Sequence, residues 1–300
     1  MHYRITHTTH YAYSTPVQLS PHILRLCPRN DGSQWLQKFE VTLSPKAAQQ
    51  TYVSDADGNI CLRLAFDLPL ESLHICAISE VTTTRDNPFD YIAEPWALQF
   101  PINYPSSLAA QLRPYWESPL GWGINDALAP EVISLAHEIM QQVNYNVGYF
   151  LTRLTQLIPE TCTYQQRLEG KPYPAAVTLS NQSGTCRDFT VLFIAVCRAV
   201  GLAARFVSGY QEGDLQGDSS GTSHDLHAWA EVYVPGGGWR GFDPTLGLTV
   251  SDRHVAIAAA ANPQQAAPVF GTLQPGQSAK TTLETEITLE DMRLTQQFDP

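Results

Sequence analysis

The 300-residue sequence predicts an α+β fold, with an N-terminal antiparallel β domain over residues 1–105 and a second, helix-then-strand domain over residues 106–300. Three observations lead there. Residues 1 to about 85 alternate polar and apolar side chains between turn signals. Residues 87–119 then carry Pro88, Pro95, Pro101, Pro105, Pro114 and Pro119. From Pro130 the apolar spacing changes to that of a helix, and beyond Gly201 it returns to that of strands.

In the opening segment Tyr3, Ile5, His7, Thr9, Tyr11 and Tyr13 share one face, and Arg4, Thr6, Thr8 and His10 share the other. Strands are expected around Ile23–Leu26, Phe39–Leu43, Ile60–Phe66 and Leu73–Val81, with a tight turn at Asp57-Gly58-Asn59. Prolines as dense as those of residues 87–119 read as an ordered inter-domain connector that sustains no helix and no central strand. Val132, Leu135, Ala136, Ile139 and Val143 mark a helix that opens at Pro130. A second helix is expected over Phe150–Leu157 and irregular chain over Thr161–Gly184. A strongly amphipathic helix starts at Cys186, with Phe189, Leu192, Phe193, Val196 and Val200 on one face and Gly201 as its stop. Ala203–Tyr210, His227–Val234, Trp239–Asp243 and residues 281–289 read as strands. The loop Gly213–Ser223 separates the first two, and Ala256–Pro268 reads as a short helix or loop.

Composition narrows the function. With 29 acidic and 18 basic residues the formal net charge is −11, which repels phosphate backbones and anionic lipid, and no Lys/Arg run offsets it. Nucleic-acid and membrane partners are therefore not expected. Residues 1–15 lack the apolar core of a secretory signal, and no stretch reaches 18 apolar residues, so the expected location is the cytoplasm. Six cysteines without a CxxC then read as reduced thiols rather than disulfides or a zinc site. The HxxH pairs His7/His10 and His224/His227 have no metal-site context, and no metal or cofactor is called for.

Cys186 sits where the loop Ser183-Gly184-Thr185 meets a helix. The unpaired N–H groups and positive dipole end of a first helical turn stabilise a thiolate, and the Cys186 N–H is free to serve an oxyanion. The other thiols have no such placement: Cys197 lies mid-helix, and Cys61 and Cys76 read as core residues of strands. His227 opens a strand after a polar loop and is the first choice of base, with His224 second. Asp243 ends the next strand and is the first choice to orient the imidazole, ahead of Asp225 and Asp252. A four-residue hairpin loop would put His227 and Asp243 on opposite faces, so a bulge or register change is expected near Gly236–Gly238. Cysteine, histidine and carboxylate in this order are the constellation of acyl-transfer thiol enzymes.

At these residues the chain resembles bacterial transglutaminase-like proteins. Gly184-Thr185-Cys186-Arg187-Asp188-Phe189 is similar to their G-x-C-x-D-F element, Leu226-His227-Ala228-Trp229 to HAW, and Gly238–Thr245 to GW-x-x-x-DPT. Val200–Tyr210 matches a further family stretch, and Tyr3–Tyr13, Arg25–Arg29 and Asp57-Gly58-Asn59 resemble the β-rich region that precedes the core. Asp225-Leu226 departs from the small residue and serine often found before HAW. The resemblance implies a papain-like/transglutaminase-like α+β core with Cys186 as nucleophile, His227 as base and Asp243 as orienting acid. The implied activity is thiol-dependent hydrolysis of amide or peptide bonds through a thioester, on a peptide or protein substrate. Transamidation and a non-catalytic module of the same fold are the alternatives, and oligomeric state is not readable.

Overall fold

A computed structural model describes residues 1–117, 129–167, 170–213 and 226–295. The chain opens with β1 (His2–Val17), β2 (His22–Leu24), β3 (Gln34–Ser44), β4 (Gln49–Ser54), β5 (Ile60–Ala65) and β6 (Leu70–Thr83). Tyr3, Ile5, His7 and Thr9 are buried along one face of β1, as the alternation requires. Strand β4 escapes the sequence pattern because all six of its residues are exposed, so no apolar alternation marks it.

The proline-rich stretch is less irregular than expected. Pro105 and Pro114 leave room between them for one short helix, α1 (Ser106–Leu112), which needs proline at neither interior position. Next come α2 (Pro130–Gln142), α3 (Val147–Thr161), β7 (Thr163–Tyr164), α4 (Ala175–Asn181), β8 (Ser183–Gly184) and α5 (Cys186–Ala199). Asn146 caps α3 by accepting from the Tyr149 N–H at 2.9 Å, which starts this helix earlier than Phe150. The segment expected to be wholly irregular contains α4, a seven-residue helix too short for a clear period.

The second half continues with β9 (Ala204–Gln211), β10 (His227–Val234), β11 (Gly238–Asp243), β12 (Leu248–Thr249) and β13 (His254–Ala260). The alanine-rich run is thus a strand rather than a helix or loop, and every residue of β13 is buried. A strand covered on both faces loses the alternation by which strands are recognised. Finally β14 (Val269–Phe270) and β15 (Thr281–Asp291) return to the N-terminal region.

Three main sheets result, in the orders β15-β1-β6-β3, β14-β2-β5-β4 and β12-β11-β10-β9-β13. Residues 269–291, expected within the second domain, therefore pair with β1 and β2. One core lies between the first two sheets and includes Tyr3, Ile5, Leu64, Leu73 and Ile75. The other packs α2, α3 and α5 on one face of the five-stranded sheet, through Phe150, Phe189, Phe193, Ala230 and Val232. Helix α5 is buried nearly all round from Cys186 to Arg198, beyond the single apolar face read from its sequence. Among the described residues no helix is long and apolar enough to cross a membrane.

Strand β13 is an edge, and the N-terminal region closes it with side chains. Gln34 donates through Nε2 to Ala256 O at 2.8 Å and accepts at Oε1 from the Ala256 N–H at 2.8 Å. Asn59 repeats the pattern on Ala259, at 2.9 and 2.8 Å. Each amide imitates a peptide unit of a neighbouring strand, and the Arg29 N–H adds a backbone bond to Ala256 O at 2.9 Å, so these buried backbone groups are satisfied.

Candidate active site

Cys186 is the first residue of α5, held there by Asp188 two residues further into the turn. The Asp188 carboxylate is fully buried. It accepts from the Thr185 N–H at 2.7 Å, Thr185 Oγ1 at 3.0 Å, the Tyr173 N–H at 2.5 Å and Arg167 Nη2 at 2.7 Å. The Arg167 guanidinium lies 4.0 Å from the centre of the Tyr173 ring, and Arg187 donates to Gly170 O and Arg167 O at 2.8 and 2.6 Å. The loop before the helix is thereby folded onto its N-terminus. A Cβ at Gly184 would stand 2.7 Å from that of Asp188, so glycine is needed for this approach.

Hairpin β10–β11 turns through Pro235, Gly236 and Gly237, with Val234 already paired to Gly238. Pro235 followed by Gly236 at φ +83°, with the Gly237 N–H donating to Val234 O at 2.8 Å, forms a type II turn. The loop thus has three residues, not four. That odd count is the register change the sequence requires, and the strands themselves pair without further shift. His227 and Asp243 consequently share a face, and the His227 Nε2–H donates to Asp243 Oδ2 at 2.6 Å.

Both side chains are buried, at 2% and 0% exposure. Burial alone lowers the pKa of His227, but the Asp243 carboxylate and then the Cys186 thiol outweigh it and raise it above the ordinary histidine value. Burial alone raises that of Asp243, and the His227 and His254 rings outweigh it, holding the carboxyl well below the usual range. Because Nε2 of His227 is taken by Asp243, Nδ1 is the ring nitrogen left for the thiol.

A second histidine, not singled out by the sequence, completes the cluster. His254 opens β13, and its Nε2–H donates to the same Oδ2 of Asp243 at 3.1 Å. Oδ1 accepts from the N–H groups of Thr245 and Leu246 at 2.9 and 3.2 Å. All the acceptor capacity of the buried carboxylate is used. His254 reaches this position across β9 at Gly209, which pairs with His227 on one side and Ala256 on the other. A Cβ on Gly209 would stand 2.5 Å from the Trp229 ring and collide with Val255 O. Trp229 in turn meets His254 edge-on, with ring centres 5.2 Å apart.

The remaining candidates lie elsewhere. His7 and His10 project from opposite faces of β1, and His7 Nδ1 is hydrogen-bonded to the Tyr210 hydroxyl at 2.9 Å. His224 and Asp225 lie outside the described residues. Asp252 faces the N-terminal ammonium at 3.9 Å rather than His227. Cys61 and Cys197 are buried as expected, but Cys76 is half-buried on the outer face of β6. Leu226 packs against the core of the N-terminal sheets.

The arrangement defines a class, a cysteine-protease-like fold whose central helix presents a thiol beside a buried imidazole–carboxylate pair. Family models match in two places, the transglutaminase-like superfamily over residues 133–244 and the bacterial transglutaminase-like N-terminal region over residues 3–82. The chain belongs to the transglutaminase-like superfamily, with the N-terminal region of its bacterial members. An uncharacterized protein of Mycobacterium tuberculosis is 29% identical over 290 residues, which cover 90% of this chain and 87% of that one. A crystal structure of a protein provisionally designated a cysteine protease, from Cytophaga hutchinsonii, superposes with TM-score 0.72 and 21% identity over 97% of this chain and 91% of its own. A protein-glutamine gamma-glutamyltransferase of Pseudomonas aeruginosa is 39% identical over 67 residues, 21% of this chain and 10% of that protein.

Proposed function

We propose that this protein is a thiol amidase or peptidase acting through Cys186, His227 and Asp243. The observation that carries the reading is the buried 2.6 Å His227–Asp243 bond beside a cysteine at a helix N-terminus. His227 takes the Cys186 proton, and the thiolate attacks the amide carbonyl to form an S–C bond. The Cys186 N–H, unpaired in the first turn, donates to the oxyanion. His227 then protonates the departing amine as the C–N bond breaks, leaving a thioester. A water deprotonated by His227 attacks the thioester, the acid leaves, and the proton returns to sulfur.

The local likeness to a protein-glutamine gamma-glutamyltransferase supports a second reading, in which an amine replaces that water. Mapping by mass spectrometry which thiol a limiting amount of iodoacetamide labels at neutral pH tests the shared first step. Burial raises the pKa of Cys27, Cys61, Cys162 and Cys197, so Cys186 is expected to react ahead of these four. His227→Ala should abolish labelling at Cys186 and leave the half-buried Cys76 unchanged. Equal labelling of Cys186 with and without His227 would sink the mechanism. Incorporation of a primary amine into an acylated product favours transfer, and release of acid alone favours hydrolysis.

A further inference from the structure

The triad proposed above needs one imidazole on its carboxylate, yet Asp243 carries two. Both rings direct Nε2 at the same oxygen, His227 from β10 at 2.6 Å and His254 from β13 at 3.1 Å. An ionised carboxylate only accepts, so both nitrogens are protonated donors. Resting on that reading of the triad, we infer that His254 is a positioning residue that takes a share of Asp243 Oδ2, so that the carboxylate is divided between two imidazoles instead of serving His227 alone. His254 touches neither substrate nor the thiol and acts only through Asp243.

The surroundings of His254 suit a neutral donor. Among the described residues its buried Nδ1 has no hydrogen-bond partner, nor has Trp229 Nε1 beside it. Both residues line a cavity of about 20 Å³, room for a single water. Donation of the Nε2–H to Asp243 leaves Nδ1 as the unprotonated nitrogen of a neutral ring. The charged groups facing His254 are His227 from β10 and Asp243 from β11, reached across β9, Asp252 from the turn before β13, and Arg85 and Glu231 across the cavity. Glu231 is itself paired to Arg205 at 2.6 Å. Burial outweighs the pull of Asp243 and keeps the His254 ring below the ordinary histidine pKa, hence uncharged at neutral pH.

Sharing has a consequence for the chemistry. A carboxylate given wholly to His227 would hold the imidazolium too firmly, and His227 must surrender that proton to the leaving amine. Removing His254 therefore strengthens the thiolate–imidazolium pair rather than weakening it.

The test measures iodoacetamide alkylation of Cys186 against pH in the full chain, with Cys76 as internal reference. In His254→Leu, which keeps bulk and loses the donor, the acid limb of the profile should move down by about one pH unit, a roughly tenfold faster reaction on its rising part. His254→Gln, whose amide N–H lies near the place of Nε2, should return the limb toward the wild-type position. A merely structural role predicts uniform loss of rate with no such shift and no rescue. An acid limb that stays in place or moves up in His254→Leu overturns the inference, as does a Gln variant shifted as far as Leu. Nitrogen-15 spectra of the wild-type histidines give a readout without mutation: His254 should be neutral with its proton on Nε2 at pH 7, and a protonated or Nδ1–H ring there overturns the proposal. Failure of the triad itself looks different, with wild-type Cys186 reacting no faster than Cys76, and both readings then fall together.

Discussion

At the residue scale the site turns on how many donors one carboxylate can satisfy. Asp243 Oδ1 is committed to two backbone N–H groups and Oδ2 to two imidazoles. In Asp243→Asn the side-chain carbonyl keeps the backbone pair, and the new NH₂ must face two imidazole N–H donors. His227 relieves this clash only by moving its proton to Nδ1, the nitrogen that has to receive the thiol proton. Amide turnover should therefore fall by about 10³–10⁴-fold with the fold intact, measured as kcat on a hydrolysed peptide. Cys186, His227 and Asp243, the triad proposed above, stood out in the sequence because each sits inside a short motif at an element end. His254 was not, since nothing near it in the sequence says that β13 will lie beside β9, two strands away from β10.

At the element scale the site depends on close approach. Helix α5 presents Cys186 only while Asp188 gathers the Thr185 and Tyr173 N–H groups and the Arg167 guanidinium. Asp188→Ala removes the acceptor that the Thr185 and Tyr173 N–H groups and the Arg167 guanidinium share, and the expected cost is about 3–5 kcal/mol of stability by urea unfolding, as for other broken buried ion pairs. Cys186 labelling should fall with it, because the loop that folds over the helix start is released. Strand and helix identities were readable where one face is exposed, as in β1 and α2. They were lost where the environment removes the period. β13 is covered on both sides, β4 is exposed throughout, and α4 and α1 are about two turns long.

At the scale of the whole molecule the N-terminal sheets and the five-stranded sheet share buried residues, with Tyr210, Val255 and Ile257 packed into the same core as Tyr3 and Ile5. His7 lies at this junction. Burial lowers its pKa from 6.5 to about 4. A folded value below the unfolded one means the stabilisation is complete above about pH 6.5 and is lost as pH falls towards 4. The loss should reach about 3 kcal/mol across that window. Thermal unfolding followed from pH 7 to 4 should show it, and His7→Gln should flatten that part of the curve. The separation into an N-terminal β region and a later helical region was visible as a change of period at Pro130. The return of β14 and β15 was not, because strand pairing over more than 200 residues leaves no local mark. The edge of β13 carries a last consequence. Two amide side chains, from Gln34 and Asn59, stand where a sixth strand would otherwise lie. A fragment cut free of the N-terminal region would present bare backbone along an apolar, alanine-rich rim, the template on which chains stack edge to edge into aggregates. The N-terminal region is in that sense a built-in chaperone for the sheet that carries the site.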